Sequence, residues 1–211
     1  GSREYLAPLT QRVADSIRTR MPVSRIMRPP GKPVVVQFTN GLTREFDEVV
    51  IATHSDEALK MLGDPTDHER AVLGAMPYQD NEVILHTDTR LLPRTQRAWS
   101  SWNYRLKPGN GRATVTYNMN ILQGLDAPET FCVTLNDTAS INPHRILGRF
   151  NYAHPQFTVA GMQAQQRWAD INGHNGTWFC GAYWQNGFHE DGLTSGLRVA
   201  ENLCSAHQMA A

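Results

Sequence analysis

A glycine-rich segment near the end of the 211-residue chain has the clearest potential for chemistry. Residues 177–203 predict a short buried strand, an aromatic loop bounded by glycines, and a helix that begins near Gly192. The first turn of a helix has unpaired N–H groups and the positive end of the helix dipole, and it can hold an anionic or electron-rich ligand atom. The pattern also fits an ordinary strand-loop-helix unit in which Asp191 is the N-cap.

The remaining side chains that could do chemistry are scattered along the sequence. His189 precedes the glycine turn and is the candidate for a general acid or base. Residues 192–196 lack the Gly-x-Ser-x-Gly order of a hydrolase nucleophile, so Ser195 is interpreted as a small residue that permits close helix packing. Four other histidines stand alone, without the His-x-x-x-His spacing of a metal site: His86, His144, His154 and His174.

Composition limits the classes of function. Hydrophobic residues make up 40% of the chain and charged residues 19%, which is enough for a packed core. The 20 basic and 20 acidic residues balance, and no basic stripe predicts a nucleic-acid partner. No apolar run is long enough to predict a membrane span. Three widely spaced cysteines predict buried thiols in a reducing, cytoplasmic compartment.

The elements that must position these residues follow from periodicity and turn signals. Helical spacing over residues 4–20 predicts a surface helix with one buried stripe, which Pro22 ends. Asn40-Gly41 predicts a hairpin turn between strands at 34–38 and 46–53. Further helices are predicted at 55–62, 66–73 and 159–171. Further strands are predicted at 82–87, 98–105, 113–119, 131–135 and 145–152, with a turn at 107–112.

Several stretches together resemble the flavin-containing amine oxidase superfamily. Residues 177–203 resemble the closing segment of that family, an aromatic-Phe-x-Gly strand followed by a small-residue helix under the flavin. Phe-Asp-Glu-Val-Val-Ile-Ala-Thr-His at 46–54 resembles the strand by which the chain returns to the FAD-binding domain. Trp-Ser-Ser-Trp-Asn-Tyr at 99–104 and Gly-Phe-His-Glu-Asp-Gly-Leu at 187–193 resemble bacterial predicted NAD/FAD-binding, amine-oxidase-like proteins.

This resemblance implies an α/β (α+β) fold, in which a mixed-sheet substrate domain is interleaved with part of an FAD-binding Rossmann-type domain. The implied FAD-binding parts are residues 3–54 and 172–207, and the implied substrate domain is 55–171. The Gly-x-Gly-x-x-Gly motif of dinucleotide binding is absent, because Gly109-Asn-Gly111 lacks the third glycine. The sequence therefore corresponds to a C-terminal portion of the family. We expect these 211 residues alone to bind FAD weakly or not at all, and uncovered sheet edges to favour self-association.

The resemblance also implies a set of cofactor contacts. Gly181, Gly192 and Leu193 match positions beside the flavin, and the backbone of Val23 matches a contact to adenine, although Val23 also fits the first residue of a strand. The family usually has an acidic residue after the glycine that matches Gly181. This chain has Ala182 at that position, and the candidates to replace the acid are Glu190 and Asp191.

Substrate contacts are implied by aromatic residues. Phe188 matches a position where amine oxidases often have a tyrosine beside the flavin, and Tyr183 and Trp184 are close to it in sequence. Trp102 and Tyr104, two residues apart, share one face of a strand, a pattern of a core or of a pocket. The family often has a lysine near the flavin, on a strand that resembles residues 81–86, but that stretch contains no lysine.

The function implied by the resemblance is hydride transfer from a small-molecule substrate to flavin N5. The substrate would be a small amine or an apolar, lipid-like molecule, and the flavin would be FAD. One alternative is a non-catalytic flavin- or nucleotide-binding protein of the same fold, which the missing acid and lysine favour. Another is an interaction domain without a cofactor.

Overall fold

The computed structural model of the protein describes residues 4–106 and 114–210, so the predicted turn at 107–112 lies outside the described residues. The chain forms two compact units. The first unit combines the residues up to 10 with residues 79–154, and the second combines 11–78 with the residues from 155 onward. The chain therefore leaves the second unit once and returns to it, as in the predicted interleaved α/β fold.

The described residues form helices and strands in mixed order. The helices are α1 Leu6–Thr10, α2 Ser55–Met61, α3 Asp67–Leu73, α4 Met119–Gln123, α5 Val159–Gln165 and α6 His189–Ala210. The strands are β1 Val23–Met27, β2 Val34–Phe38, β3 Thr43–Phe46, β4 Val49–Ile51, β5 Tyr78–His86, β6 Trp102–Arg105, β7 Thr114–Asn118, β8 Cys132–Leu135, β9 Ile146–Pro155 and β10 Thr177–Phe179.

The first unit is built on a five-stranded sheet in the order β6-β7-β8-β5-β9. One face of the sheet has many buried polar side chains beside the buried Ile84 and Cys132. The polar residues on this face that expose less than a tenth of their surface are Asn103, Thr114, Thr116, Asn118, Thr134 and His86. On the opposite face, Trp102 and Tyr104 are 52% and 67% exposed, whereas Val83 and Val115 are buried. Both faces of the sheet are therefore covered in part.

The second unit contains two small sheets. One has three antiparallel strands in the order β1-β2-β3, and the other pairs β10 with β4 in parallel, with Trp178 opposite Val50. Parallel strands are covered on both faces in folded proteins, and all three residues of β10 are buried. The core around them contains Phe179, Leu73, Ile171, Trp168 and Val199. Strand β10 therefore anchors the segment that leads into α6.

Two local predictions are confirmed, namely the helix that begins near Thr66 and the turn at Asn40-Gly41. Helix α3 begins with a capping box, in which Thr66 Oγ1 accepts from the Glu69 amide at 3.2 Å and Glu69 Oε2 accepts from the Thr66 amide at 2.7 Å. The Asn40-Gly41 turn joins β2 to β3, and Gly41 takes a positive φ of 85°.

Several predicted elements differ in extent, among them the strand predicted over 98–105, which begins only at Trp102. The helix predicted over 4–20 is a short α1 followed by a 3-10 turn at Gln11–Ser16, and its expected buried stripe is exposed. The strand predicted over 46–53 is divided, because β3 ends at Phe46 beside β2 and β4 begins at Val49 beside β10. The helix predicted over 159–171 ends at Gln165, and a 3-10 turn at Trp168–Asp170 follows it.

The compact units divide at 78/79 and 154/155, whereas the domains implied by the resemblance divide at 54/55 and 171/172. The physical reason is packing, because Val72 of α3 and Ala164 of α5 lie in the same core as Phe179. Cys132 and Cys180 are buried as predicted, whereas Cys204 is exposed on α6.

Two surveys of the described residues limit the kinds of site. Within 4–106 and 114–210, the helices are all too short or too polar to cross a bilayer. The same residues contain no group of three or more histidine, cysteine, aspartate or glutamate side chains placed to hold a metal ion.

Candidate functional site

Helix α6 begins at His189, earlier than the predicted start at Gly192. The amide of Gly192 donates to the Phe188 carbonyl at 3.2 Å, so it is already part of the helical ladder. The unpaired donors are instead those of His189, Glu190 and Asp191, whose N–H groups have no acceptor among the described residues. The sequence predicted free amides at Gly192 and Leu193, but the free amides are those of the three preceding residues.

Asp191 closes the loop before the helix. Its Oδ2 accepts hydrogen bonds from the amides of Phe188 at 2.8 Å and Asn186 at 3.2 Å, and the residue is 8% exposed. The alternative prediction of Asp191 as the N-cap is wrong, because the residue lies within the first turn and reaches back to the loop. A carboxylate at this end is stabilised by the helix dipole, and it leaves the three first-turn amides open.

Gly181 connects β10 to this loop in a conformation that favours glycine. Its φ is 152°, and an added Cβ would lie 2.6 Å from the Tyr183 ring. Its amide donates to Ser195 Oγ of α6 at 3.1 Å, and Ser195 is 4% exposed. The local geometry thus requires a glycine here, whether or not the residue contacts a cofactor.

The surface beside the first turn of α6 is open. Phe188 and Leu193 are 59% and 58% exposed, and His189 and Glu190 are exposed as well. An added Cβ on Gly192 would lie 3.9 Å from the Ala182 Cβ, an ordinary contact. Packing within the described residues therefore does not require Gly192, which leaves close approach of another molecule as a reason for it.

Tyr183 and Trp184, which the sequence placed beside a substrate, lie in the core at 3% and 7% exposure. Trp184 Nε1 donates to the Phe179 carbonyl at 3.1 Å. The Tyr183 hydroxyl is buried without a hydrogen-bond partner among the described residues, and burial raises its pKa far above the ordinary value, so it stays protonated. Tyr183 also borders a cavity of about 10 Å³, room for one water molecule. Neither ring forms an open aromatic wall.

Val23 is the first residue of β1 and borders a cavity of about 520 Å³ that also follows β4. On one side β4 pairs with β10, and the middle residue Val50 is 44% exposed. The volume falls in the range of small-molecule pockets. The lining is mainly aliphatic, with Glu57 and Lys60 as its charged members.

Trp102 and Tyr104 belong to the first unit, whereas the other candidate residues belong to the second. Both lie on the exposed face of β6, and Trp102 meets Tyr117 edge-on with ring centroids 5.5 Å apart. The prediction that Trp102 and Tyr104 share one face of a strand is confirmed. Their exposure favours a position at a pocket over one in the core.

Sequence reasoning missed a second cavity in the first unit. It measures about 500 Å³ and is bordered by Arg90, Arg94 and Arg105. The available signal was the density of arginines over residues 90–105, where four occur with no acidic residue between them.

Comparison with known proteins assigns the chain to a family. The model of flavin containing amine oxidoreductases matches residues 2–204. The protein belongs to this family. No curated protein matches the sequence at a significant level.

Solved structures support the fold of this family member. It resembles a CLA-producing fatty acid isomerase from P. acnes with a TM-score of 0.58 and 16% identity, over 86% of this chain and 47% of that one. It resembles a triple mutant of putrescine oxidase with a TM-score of 0.61 and 10% identity, over 95% of this chain and 53% of that one. It resembles wild-type putrescine oxidase bound to putrescine with a TM-score of 0.59 and 11% identity, again over 95% of this chain and 53% of that one. The chain therefore spans about half the length of these structures.

The residues at the start of α6 fit the flavin that the family description names. Three amides without an acceptor among the described residues suit an electron-rich ring edge, and Gly192 leaves room for close approach. Ala182 does not supply the acidic contact implied by the resemblance, and the carboxylate of Asp191 is engaged with two backbone amides. Glu190, exposed in the same turn, is the remaining acidic candidate.

Proposed function

We propose that this family member acts as an FAD-dependent oxidoreductase that takes a hydride from a small-molecule substrate. The observation that carries the proposal is the family match over residues 2–204, together with the open amides of His189, Glu190 and Asp191 at the start of α6. The family match supports a flavin, and the open amides supply the donors that such a ring needs.

Each candidate residue has a proposed role toward the cofactor. The first-turn amides of α6 would bind the electron-rich edge of the flavin and stabilise added negative charge by about 0.3–1 kcal/mol. Gly192 would permit the approach, and Leu193 would contact the ring. The bond from Gly181 to Ser195 would fix the loop relative to α6. Val23 and the cavity beside β4 would hold the adenine end.

A bound flavin supplies a two-electron acceptor, so the protein itself needs to orient the substrate and manage protons. His189 is the proposed general acid or base, because it is exposed in the first turn of α6. Tyr183 is not proposed for that role, because it is buried at 3% exposure and its raised pKa opposes action as a base. The proposed substrate contact beside the first turn of α6 is Phe188, which is 59% exposed.

A non-catalytic flavin-binding protein is the second candidate function. Two observations favour it, namely Ala182 in place of an acid and the absence of lysine from β5. The absence of this lysine also weighs against amine oxidation with oxygen as the acceptor. Among the solved structures, one is named a putrescine oxidase and another a fatty acid isomerase, so both an amine and a lipid-like substrate are retained as classes.

Absorption spectroscopy tests this function. Protein purified from cells together with the rest of its chain is expected to be yellow, with flavin bands that bleach when a substrate is added without oxygen. The panel contains amines and unsaturated fatty acids. Colourless protein would contradict the cofactor, and a flavin that no compound reduces would favour the non-catalytic function.

We further propose that residues 1–211 alone retain FAD weakly. The buried thiols Cys132 and Cys180 support our proposal of a reducing, cytoplasmic location.

A further inference from the structure

The arginine-lined cavity of the first unit has the properties of an anion site. Its volume is about 500 Å³, and it lies between residues 90–100 and the edge strand β6. Among the described residues, its charged members are Arg90, Arg94 and Arg105, and none of its lining residues is an aspartate or glutamate. A cavity bordered by guanidinium groups attracts carboxylate and phosphate groups and repels an ammonium group.

Two of these arginines form ion pairs with carboxylates that are buried inside the unit. Arg90 Nε donates to Asp88 Oδ1 at 2.8 Å, with side chains 67% and 2% exposed respectively. Arg105 Nη1 lies 3.4 Å from Asp137 Oδ2, with 48% and 1% exposure. The acids are therefore inside the unit while the guanidinium groups reach the surface. Such anchoring lowers the entropy that each arginine loses when it binds a ligand.

Asp88 is itself fixed in place. Its Oδ2 also accepts from the Asn142 amide at 2.8 Å. The guanidinium of Arg90 and these hydrogen bonds hold the pKa of the Asp88 carboxyl well below its ordinary value, so the anchor stays charged. Arg94 is exposed and has no partner among the described residues, which leaves a full positive charge at the cavity.

An apolar platform adjoins the cavity. Trp102 and Tyr104 border it, and their rings belong to the exposed face of β6, where Tyr117 extends the aromatic surface. Arg105 lies on the opposite face of β6 from these rings, whereas Arg90 and Arg94 belong to the segment beside the edge of that strand. Exposed aromatic rings at the border of a cavity that contains cations are suited to a ligand with an anionic head and an apolar body. A small dication such as a polyamine would meet the unpaired charge of Arg94 and would find no carboxylate among the described residues that line the cavity.

We propose that this cavity binds the carboxylate or phosphate head of an amphiphile whose apolar chain lies on Trp102 and Tyr104. As a statement about binding, this does not involve the flavin.

Calorimetric titration of the 211-residue chain without flavin tests the proposal. The probes share a ten-carbon chain and differ in the head group: decanoate, decyl phosphate, decanol and decylamine. Decanoate and decyl phosphate are expected to bind, with affinity that falls as salt rises, and the other two at least tenfold more weakly. Equal binding of decanol or decylamine would overturn the proposal. Acetate or inorganic phosphate binding as tightly as the ten-carbon anions would overturn the role of the aromatic platform.

Matched variants locate the site. Arg94→Gln is expected to weaken decanoate binding about five- to tenfold, because an unpaired surface cation is lost without disturbing the fold. Arg97→Gln is the control, since Arg97 is exposed on the same segment but does not border the cavity. Trp102→Ala is expected to reduce the affinity for decanoate and to leave that for acetate unchanged. Equal losses in both arginine variants, or none in either, would overturn the assignment.

The same experiments would also reveal either of two other partners for this surface. Binding only to phosphatidylglycerol vesicles, and not to monomeric decanoate, would show a membrane surface rather than a single-ligand site. Association of the chain with itself that Trp102→Ala abolishes, without any anion binding, would show an interface between copies. Because none of these readouts uses a flavin, their failure would leave the cofactor proposal untouched, and colourless full-length protein would leave this binding site untouched.

Discussion

The amide of Gly181 donates a hydrogen bond to the hydroxyl of Ser195 across 3.1 Å and so joins the end of β10 to the second turn of α6. Ser195 is 4% exposed, which keeps this bond away from water. The bond fixes where the helix starts relative to the strand, and with it the direction of the first-turn amides.

Ser195→Ala should therefore destabilise the protein. Removal of the hydroxyl leaves a partly buried amide unpaired, at a cost of about 1–3 kcal/mol in the free energy of unfolding. Urea unfolding followed by circular dichroism measures it. Thr194→Ala is the control, because Thr194 is exposed in the same turn. Equal stability of the two variants would contradict the importance of this bond.

Asp191→Ala should loosen the loop that precedes α6. The change removes the acceptor of the Phe188 and Asn186 amides and a negative charge at the positive end of the helix. We expect a loss of about 1–2 kcal/mol in the free energy of unfolding. Hydrogen exchange at residues 186–192 should accelerate as well. Glu190→Ala removes a charge from the same turn without those bonds, and a loss as large as that of Asp191→Ala would show that charge alone is responsible.

The sequence predicted local features better than the residues around the site. The capping box of Thr66 and Glu69 depends on side chains three positions apart, so it could be read from the pattern alone. The start of α6 was placed too late because glycine is a common helix boundary, whereas the bonds accepted by Asp191 set the start at His189. The burial of Tyr183 and Trp184 depends on packing against distant segments, such as the one that contains Met76, and no local spacing shows it.

The first unit should lose stability in mildly acidic solution because of His86. The Asp88 amide donates to its Nδ1, so in the neutral ring the proton lies on Nε2, which donates to Thr134 Oγ1 at 2.8 Å. Burial lowers the pKa of His86. The unfolded chain, with an ordinary pKa of about 6.5, gains its proton first as the pH falls, and stability then decreases by up to about 1.4 kcal/mol per pH unit.

Urea unfolding at pH 7.5, 6.5 and 5.5 measures this loss. His86→Gln should reduce the dependence on pH over this interval, although it also lowers stability at every pH. His144→Gln should preserve the dependence, because His144 is exposed. A wild-type stability that is flat between pH 7.5 and 5.5 would refute the role of His86.

Strand β4 should favour self-association of the 211-residue chain. It is three residues long, pairs only with β10 within the described sheets, and exposes 44% of Val50 beside an aliphatic cavity. Val50→Lys should shift the chain toward the monomer in sedimentation at high concentration, because a charge on an edge strand opposes pairing. Leu42→Lys is the control, because Leu42 is an apolar residue in the β2–β3 turn that is 56% exposed. A wild-type chain that stays monomeric at high concentration would contradict this prediction.

Gly192 and Gly196 provide the sharpest test of the cofactor site, because both lie in α6 and both have room for a methyl group. An added Cβ at Gly192 would make an ordinary 3.9 Å contact with Ala182, and at Gly196 it would meet nothing within 4 Å. Alanine at either position should therefore keep or raise stability, by up to about 1 kcal/mol. If the first turn of α6 lies against the flavin, only Gly192→Ala should weaken FAD binding, by about tenfold, through the steric cost of the new methyl group. Flavin fluorescence titration and the amount of co-purified FAD measure this difference. Equal FAD affinity in the two variants would place the cofactor away from this turn, and equal weakening would indicate a general effect on the helix.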